Sequence, residues 1–373
     1  MEHLTLLIKP ASSLCNLHCK YCFYHNIAEL REHPSYGMMS METAETLIKK
    51  SVSYAKRSIT FAFQGGEPTL AGIAFYQTFI QLVKEHNNKG LSIHYAIQTN
   101  GMNMDEEFAG FLMENKFLVG LSLDGTKEIH DFLRIDAKDN GTHSKVMKTA
   151  YLFDKLKVEY NILTVITAQT AKHIDKIYHY YKKCGFRYLQ FIPCLDPLDS
   201  EPNWSVYSLT PKHYELFLKT LFLLWYHDFM QGDYTSIRFF DNLVRVASGQ
   251  PAEQCGMNGY CNGQYVIEAD GSTFPCDFYC VDHWKTGNIN QQSFEEITQS
   301  DQMVEFIETS RHNDEKCKSC EVFDLCRGGF RRDRDSHSDG RAGENIYCET
   351  FYSFYSFAKP YIREMIKKLS SAR

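Results

Sequence analysis

Six short apolar runs punctuate the first part of the chain: Leu4–Ile8, Ser58–Phe63, Leu91–Gln98, Leu118–Leu123, Tyr160–Val165 and Tyr188–Ile192. Longer amphipathic stretches separate them, among them Met41–Lys56, Ile73–Asn87, Asp105–Asn115 and Ala171–Cys184. Short runs of this composition read as strands, and the stretches between them as helices. Strands alternating with helices predict an α/β fold with a parallel sheet. Several runs end on glycine-bearing turns, so the polar groups there sit at strand carboxyl ends, where parallel barrels carry their chemistry. At 373 residues the chain is long enough for two domains of roughly 150 residues each.

Three cysteines follow the first run, Cys15, Cys19 and Cys22, in Cys-Asn-Leu-His-Cys-Lys-Tyr-Cys. Three thiolates can hold three corners of a four-iron cluster and leave one iron open to a small molecule. A structural zinc site is the first alternative. It needs four protein ligands, and His18 or a later residue could supply the fourth. A disulfide framework is the second, but it belongs to short secreted chains, and residues 1–10 carry no secretory start.

The triplet is followed by the aromatic pair Phe23 and Tyr24. Then come Gln64-Gly65-Gly66-Glu67-Pro68-Thr69, Gln98-Thr99-Asn100-Gly101 and Leu121-Ser122-Leu123-Asp124-Gly125, each after an apolar run. In this order the motifs resemble those of the radical S-adenosylmethionine (SAM) enzymes. The resemblance displaces the zinc and disulfide readings and implies a partial (β/α)6 barrel over residues 1–235.

The pattern changes after Ser248-Gly249-Gln250-Pro251 to shorter elements rich in glycine and cysteine. Cys317, Cys320, Cys326 and Cys348 supply four thiolates, enough to close a cluster or a zinc site. Cys255, Cys261 and Cys276 supply three more. Asp270-Gly271-Ser272 reads as a hairpin turn, and Phe351–Lys368 as a final helix. Residues 236–373 thus resemble a small cysteine-rich SPASM-type domain with two auxiliary 4Fe–4S clusters, followed by a C-terminal helix. Stretches such as Leu7–Ser13, Phe63–Leu70, Phe191–Pro197 and Pro275–Tyr279 narrow the resemblance to the anaerobic sulfatase-maturating enzymes. One departure stands out. Phe330 occupies the position where that family places the last ligand of the first auxiliary cluster. Either Cys280 replaces that ligand, or the cluster keeps an open iron, or the cluster is absent. Cys280, Cys184 and Cys194 also read as buried free thiols.

The resemblance implies an oxidoreductase that converts a cysteine or serine of a client sulfatase into Cα-formylglycine by 5′-deoxyadenosyl radical chemistry. It implies three roles along the chain. Cys15, Cys19 and Cys22 would ligate the SAM-binding cluster; Tyr21, Gly66, Ser122, Arg134 and Leu195 would contact SAM; Asp277 would be the base. Gln64 and Asn100 are candidate contacts to the client backbone. A low-potential donor such as flavodoxin or ferredoxin would supply electrons. Two alternatives remain: a SPASM-type modifier of a ribosomal peptide, forming a thioether or an epimer, and a non-catalytic iron–sulfur electron carrier. The net charge of −6 gives no basis for nucleic-acid binding. No apolar run has the length of a membrane span, and Phe217–Tyr226 reads as a packed helix. Thirteen cysteines without a secretory start imply a reducing cytoplasm and suit an anaerobic host. The run Arg331–Asp335 reads as a solvated or cluster-adjacent loop.

Overall fold

The structure, a computed structural model, describes residues 1–198, 200, 205–335 and 342–371. All six expected strands form close to their expected limits. They are β1 (His3–Ile8), β2 (Ser58–Phe63), β3 (Ser92–Thr99), β4 (Phe117–Ser122), β5 (Tyr160–Ile166) and β6 (Tyr188–Pro193). In chain order each is followed by at least one helix, including Met41–Tyr54, Ile73–His86, Glu106–Glu114, His143–Leu156, Ile174–Lys183 and Pro211–Gln231. The α/β expectation therefore holds. One helix differs: the expected Ala171–Cys184 stretch is two helices, Ala168–Lys172 and Ile174–Lys183, flanking His173.

The chain forms two compact units, the first comprising residues 1–123, 130–161 and 263–306, and the second residues 124–129, 162–262 and 307–373. In the first unit β1 pairs parallel with β2, β2 with β3, and β3 with β4. Alternate residues Leu4, Leu6 and Ile8 of β1, and Ile59, Phe61 and Phe63 of β2, are buried, the period-2 pattern of a sheet facing a core. Tyr76 and Phe79 stack edge-on against Phe63 and cover that face.

Residues 263–306 return to the other edge of β1. Strand β8 (Tyr265–Ile267) runs parallel to β1 with Ile267 opposite Ile8, and β9 (Ser272–Phe274) is antiparallel to β8. The turn between them is the expected Asp270-Gly271 hairpin. Gly271 has φ +85°, a left-handed conformation that favours glycine. Strand β10 (Gly287–Asn288) closes this edge antiparallel to β9.

In the second unit β5 and β6 pair parallel, and β6 pairs with β7 (Ser236–Ile237). The Pro211–Gln231 helix starts on a Thr210 cap with proline at its first position and ends on left-handed Gly232. Its Phe217, Leu218, Leu221, Phe222 and Trp225 are buried, as a packed helix requires. The final helix, Cys348–Ser371, lies against it, with Phe222 contacting Phe354 and Tyr361.

The solvated reading of Arg331–Asp335 is corrected. Arg331, Asp333 and Arg334 are buried. The Arg334 guanidinium donates to the carbonyls of Gly259, Ser310 and His312 and to Asn313 Oδ1, at 3.1–3.2 Å. Four acceptors from distant loops offset much of the cost of taking this guanidinium out of water. Among the described residues, no helix is long and apolar enough to cross a membrane.

Candidate active site

In the first unit the loop after β1 carries Cys15, Cys19 and Cys22, and the turn after β2 supports it from beneath. Gly66 N–H donates to the Ser12 carbonyl at 2.9 Å, and Glu67 N–H to the Leu14 carbonyl at 2.7 Å. The two backbones approach so closely that a β-carbon on Gly66 would lie 2.1 Å from Leu14 O. Only glycine permits this contact.

The Glu67 carboxylate, buried, ties the turn to β3. It accepts from Thr69 N–H (3.0 Å), Thr69 Oγ1 (2.6 Å), Thr99 Oγ1 (2.8 Å) and Asn100 N–H (2.7 Å). Burial raises its pKa, and these hydrogen bonds only partly offset the shift. Asn100 then reaches the cysteine loop. Its Nδ2 donates to Asn16 Oδ1 at 2.7 Å and lies 3.8 Å from Cys15 Sγ. Arg134 is buried. Its guanidinium lies over the Tyr21 ring at 5.6 Å and 4.0 Å from Cys19 Sγ. Thus Tyr21, Gly66, Asn100 and Arg134 gather around the three thiols, while Ser122 stands half-buried at the end of β4.

Burial, followed by the nearby Glu67 and Cys22 charges, pushes the Cys15 thiol up to about 11. Such a thiol stays protonated until a cation replaces its proton. Among the described residues no disulfide forms, and no three His, Cys, Asp or Glu side chains converge on a single ion. A cluster with one thiolate on each of several irons does not require such convergence, so this donor set fits a cluster.

The same unit contains a buried ionic network that sequence reasoning missed. Asp277, in the turn after β9, lies beside Lys9 at the end of β1; Lys9 is 1% exposed and Asp277 3%. Tyr24 OH donates to Asp277 Oδ2 at 2.5 Å, and Gln64 Nε2 donates to the same oxygen at 2.7 Å. Lys9 Nζ faces Oδ1 at 3.1 Å and Glu268 Oε1 at 3.5 Å, and Arg31 pairs with Glu268 at 2.8 Å. The Lys9–Oδ1 contact is an ion pair without directed hydrogen-bond geometry, and no donor among the described residues bonds Oδ1. Burial would lower the Lys9 pKa, but Asp277, Cys280 and Glu268 outweigh it and hold the ammonium well above its usual range. Burial likewise opposes ionisation of Glu268, and Lys9 with Arg31 overcome it.

Two cations and two carboxylates balance within this network. Lys9→Met should therefore leave unpaired buried charge and cost about 3–5 kcal/mol. Anaerobic urea unfolding would measure it as a lower midpoint. The available signal for Lys9 was a cation closing an otherwise apolar strand; Arg31 and Glu268 had none.

In the second unit the residues around Cys317, Cys320, Cys326 and Cys348 converge. Burial comes first in raising the Cys317, Cys326 and Cys348 thiols, and the charges of neighbouring cysteines add to it. Cys326 is pushed up to about 12, with Cys348, Cys317 and Cys320 contributing. Asn345 Nδ2 bridges to Gly328 O at 3.0 Å, fastening the segment before Cys348 to the one after Cys326. Cys255 is exposed and Cys261 half-buried. Phe330 packs against the residue after Cys255: a β-carbon at Gly256 would meet Phe330 Cβ at 3.3 Å. Leu195 lies just beyond β6, next to buried Cys194, whose N–H donates to Ile166 O at 3.0 Å. Cys184 is half-buried. Cys276, in the first unit, is buried and precedes Asp277.

Residues 10–181 match the radical SAM superfamily, and residues 255–321 match the SPASM iron–sulfur cluster-binding domain. The chain is 49% identical over 355 residues to a cysteine-type anaerobic sulfatase-maturating enzyme of Clostridium novyi, covering 95% of each chain. The chain belongs to the anaerobic sulfatase-maturating enzymes. A serine-type member of this family from Bacteroides thetaiotaomicron is 29% identical and covers 98% of the chain. Native anSMEcpe, solved with bound AdoMet and a peptide, superposes with TM-score 0.94 at 48% identity, covering 98% of this chain and 99% of its own. This sulfatase-maturating enzyme is thus a radical SAM oxidoreductase with iron–sulfur cofactors.

Proposed function

We propose that this sulfatase-maturating enzyme oxidises a cysteine of a client sulfatase to Cα-formylglycine, with Asp277 as the base. The observation that carries the reading is Asp277 Oδ1, a buried carboxylate oxygen with a cation beside it and no hydrogen-bond donor among the described residues. A general base needs a lone pair within reach of the proton it takes. Tyr24 and Gln64 occupy Oδ2 and orient the carboxylate, leaving Oδ1 for a proton from the client thiol. The cysteine-type preference rests on relatives of that name at 49% identity, against 29% for the serine-type relative.

Cys15, Cys19 and Cys22 would hold three irons of the SAM-binding cluster. When bound, cluster and SAM supply radical chemistry able to take a hydrogen atom from an unactivated carbon. Tyr21, Gly66, Ser122, Arg134 and Leu195 are the proposed SAM contacts, and Gln64 and Asn100 the proposed contacts to the client backbone. Cys317, Cys320, Cys326 and Cys348 would close one auxiliary cluster. Cys255, Cys261 and Cys276 are the proposed ligands of the other. The barrel domain would span 1–235 and the auxiliary-cluster domain 236–373, boundaries that separate the two family matches. The protein would act in the cytoplasm with a flavodoxin or ferredoxin as electron donor.

The test is anaerobic incubation with dithionite, SAM and a peptide carrying Cys-x-Pro-x-Arg. Mass spectrometry should show the peptide losing hydrogen sulfide and gaining one oxygen atom. Deoxyadenosine without that change would overturn the proposal. Iron in reconstituted protein, about 12 per chain for three clusters or about 8 for two, reads out the site that includes Phe330.

A further inference from the structure

Cys280 stands four residues after Cys276 and is fully buried in the Lys9–Asp277 network. Its Sγ accepts a hydrogen bond from Lys9 Nζ at 3.2 Å. Among the described residues this is the directed hydrogen bond that the ammonium makes; its approaches to Asp277 and Glu268 are ion pairs. The sulfur is fixed in turn. Its S–H donates to the Cys276 carbonyl at 3.6 Å, closing the short helical turn Asp277–Tyr279. Arg31 Nε donates to the Cys280 carbonyl at 2.5 Å. Cys280 is thus held at both its sulfur and its backbone.

We infer that Cys280 is a positioning residue for the base and not an iron ligand: its sulfur takes the directed hydrogen bond of the Lys9 ammonium, so that Asp277 Oδ1 faces the cation without receiving one. The inference rests on the reading of Asp277 as the base. An ammonium carries three donors. With the sulfur removed, a donor turns to the nearest buried acceptor, and Oδ1 lies 3.1 Å away. The lone pair needed for the client proton is then occupied. A ligand role asks something different of the same atom. To reach an iron, this fully buried sulfur would have to turn out of the pocket in which Lys9 Nζ and the Cys276 carbonyl hold it.

With Cys280 committed to Lys9, the ligand missing at Phe330 is not replaced from the Asp277 turn.

The experiment compares Cys280→Ala and Cys280→Ser in the reconstituted holoenzyme, reading iron and acid-labile sulfide per chain, the reduced EPR spectrum, and kcat and KM for the client peptide. Both variants should keep the parental iron, sulfide and spectrum. Cys280→Ala should lower kcat about tenfold with KM unchanged, since misplacing a reacting group by a fraction of an ångström has effects of that order. Cys280→Ser, with a hydroxyl that both accepts and donates, should restore most of the loss. Serine also nearly matches cysteine in size, so it stays informative if alanine unfolds the site. Loss of about four irons from either variant would identify the sulfur as a ligand and overturn the inference. A parental kcat for Cys280→Ala would overturn it too. Asp277→Asn separates the two readings: if it still makes aldehyde, the base assignment falls; if it does not while Cys280→Ala is fully active, only the role of Cys280 falls.

Discussion

Asp277→Asn should leave deoxyadenosine formation from SAM in place and lower aldehyde formation by roughly 10²–10⁴-fold, the usual contribution of a positioned base. The substitution preserves volume and keeps an oxygen that can accept from Tyr24 or Gln64, which now meet at Oδ2 at 2.5 and 2.7 Å. It removes the charge that faces Lys9 and the basic lone pair. Deoxyadenosine and aldehyde should therefore separate, the first persisting and the second vanishing in one chromatogram. If both fell together, Asp277 would be holding the fold or the cofactor. If neither fell, the proton would go elsewhere. A stability check belongs with the assay, because Lys9 loses one of its two carboxylate partners.

Gly66→Ala should be the more damaging change although it adds a single methyl group. The new β-carbon would sit 2.1 Å from Leu14 O and 2.6 Å from Leu14 C, both backbone atoms with no rotamer to relieve the overlap. Either the turn after β2 or the loop bearing Cys15 must move. The hydrogen bonds from Gly66 to Ser12 and from Glu67 to Leu14 would break with it. Overpacking of this kind costs ~3 kcal/mol. The expected result is loss of about four irons per chain and of deoxyadenosine formation, with the remaining iron retained. A variant that kept full iron and SAM cleavage would show that the loop tolerates displacement.

The strands were legible because each is a local signal: Ile59, Phe61 and Phe63 alternate inward within one run. Gly66 and the cysteine triplet were legible because their spacing is short. The return of residues 263–306 to the edge of β1 was not, since β8 is three residues long and its pairing with β1 is decided by a neighbour more than two hundred residues away. The Lys9–Arg31–Glu268–Asp277 network hides for the same reason. Its members are distant in sequence, and only the pairing of β8 with β1 makes them neighbours. Arg334 illustrates the opposite failure. Its local sequence is all charge and argues for solvent, yet acceptors from distant loops bury it.

Cys348 opens the Cys348–Ser371 helix, whose packing on Pro211–Gln231 is aromatic, through Phe354 and Tyr361 on Phe222. If that thiol ligates iron, metal acquisition and docking of the carboxyl terminus share one anchor. A chain still lacking its second auxiliary cluster would hold this helix by aromatic packing and by side-chain hydrogen bonds such as Thr350 to Pro211 O and Tyr226 to Glu364, and its amino-terminal turn would fray first. The tail then becomes a maturation gauge. Limited proteolysis should clip it readily in apoprotein and spare it after iron loading, so a cell's proteases could tell finished enzyme from unfinished.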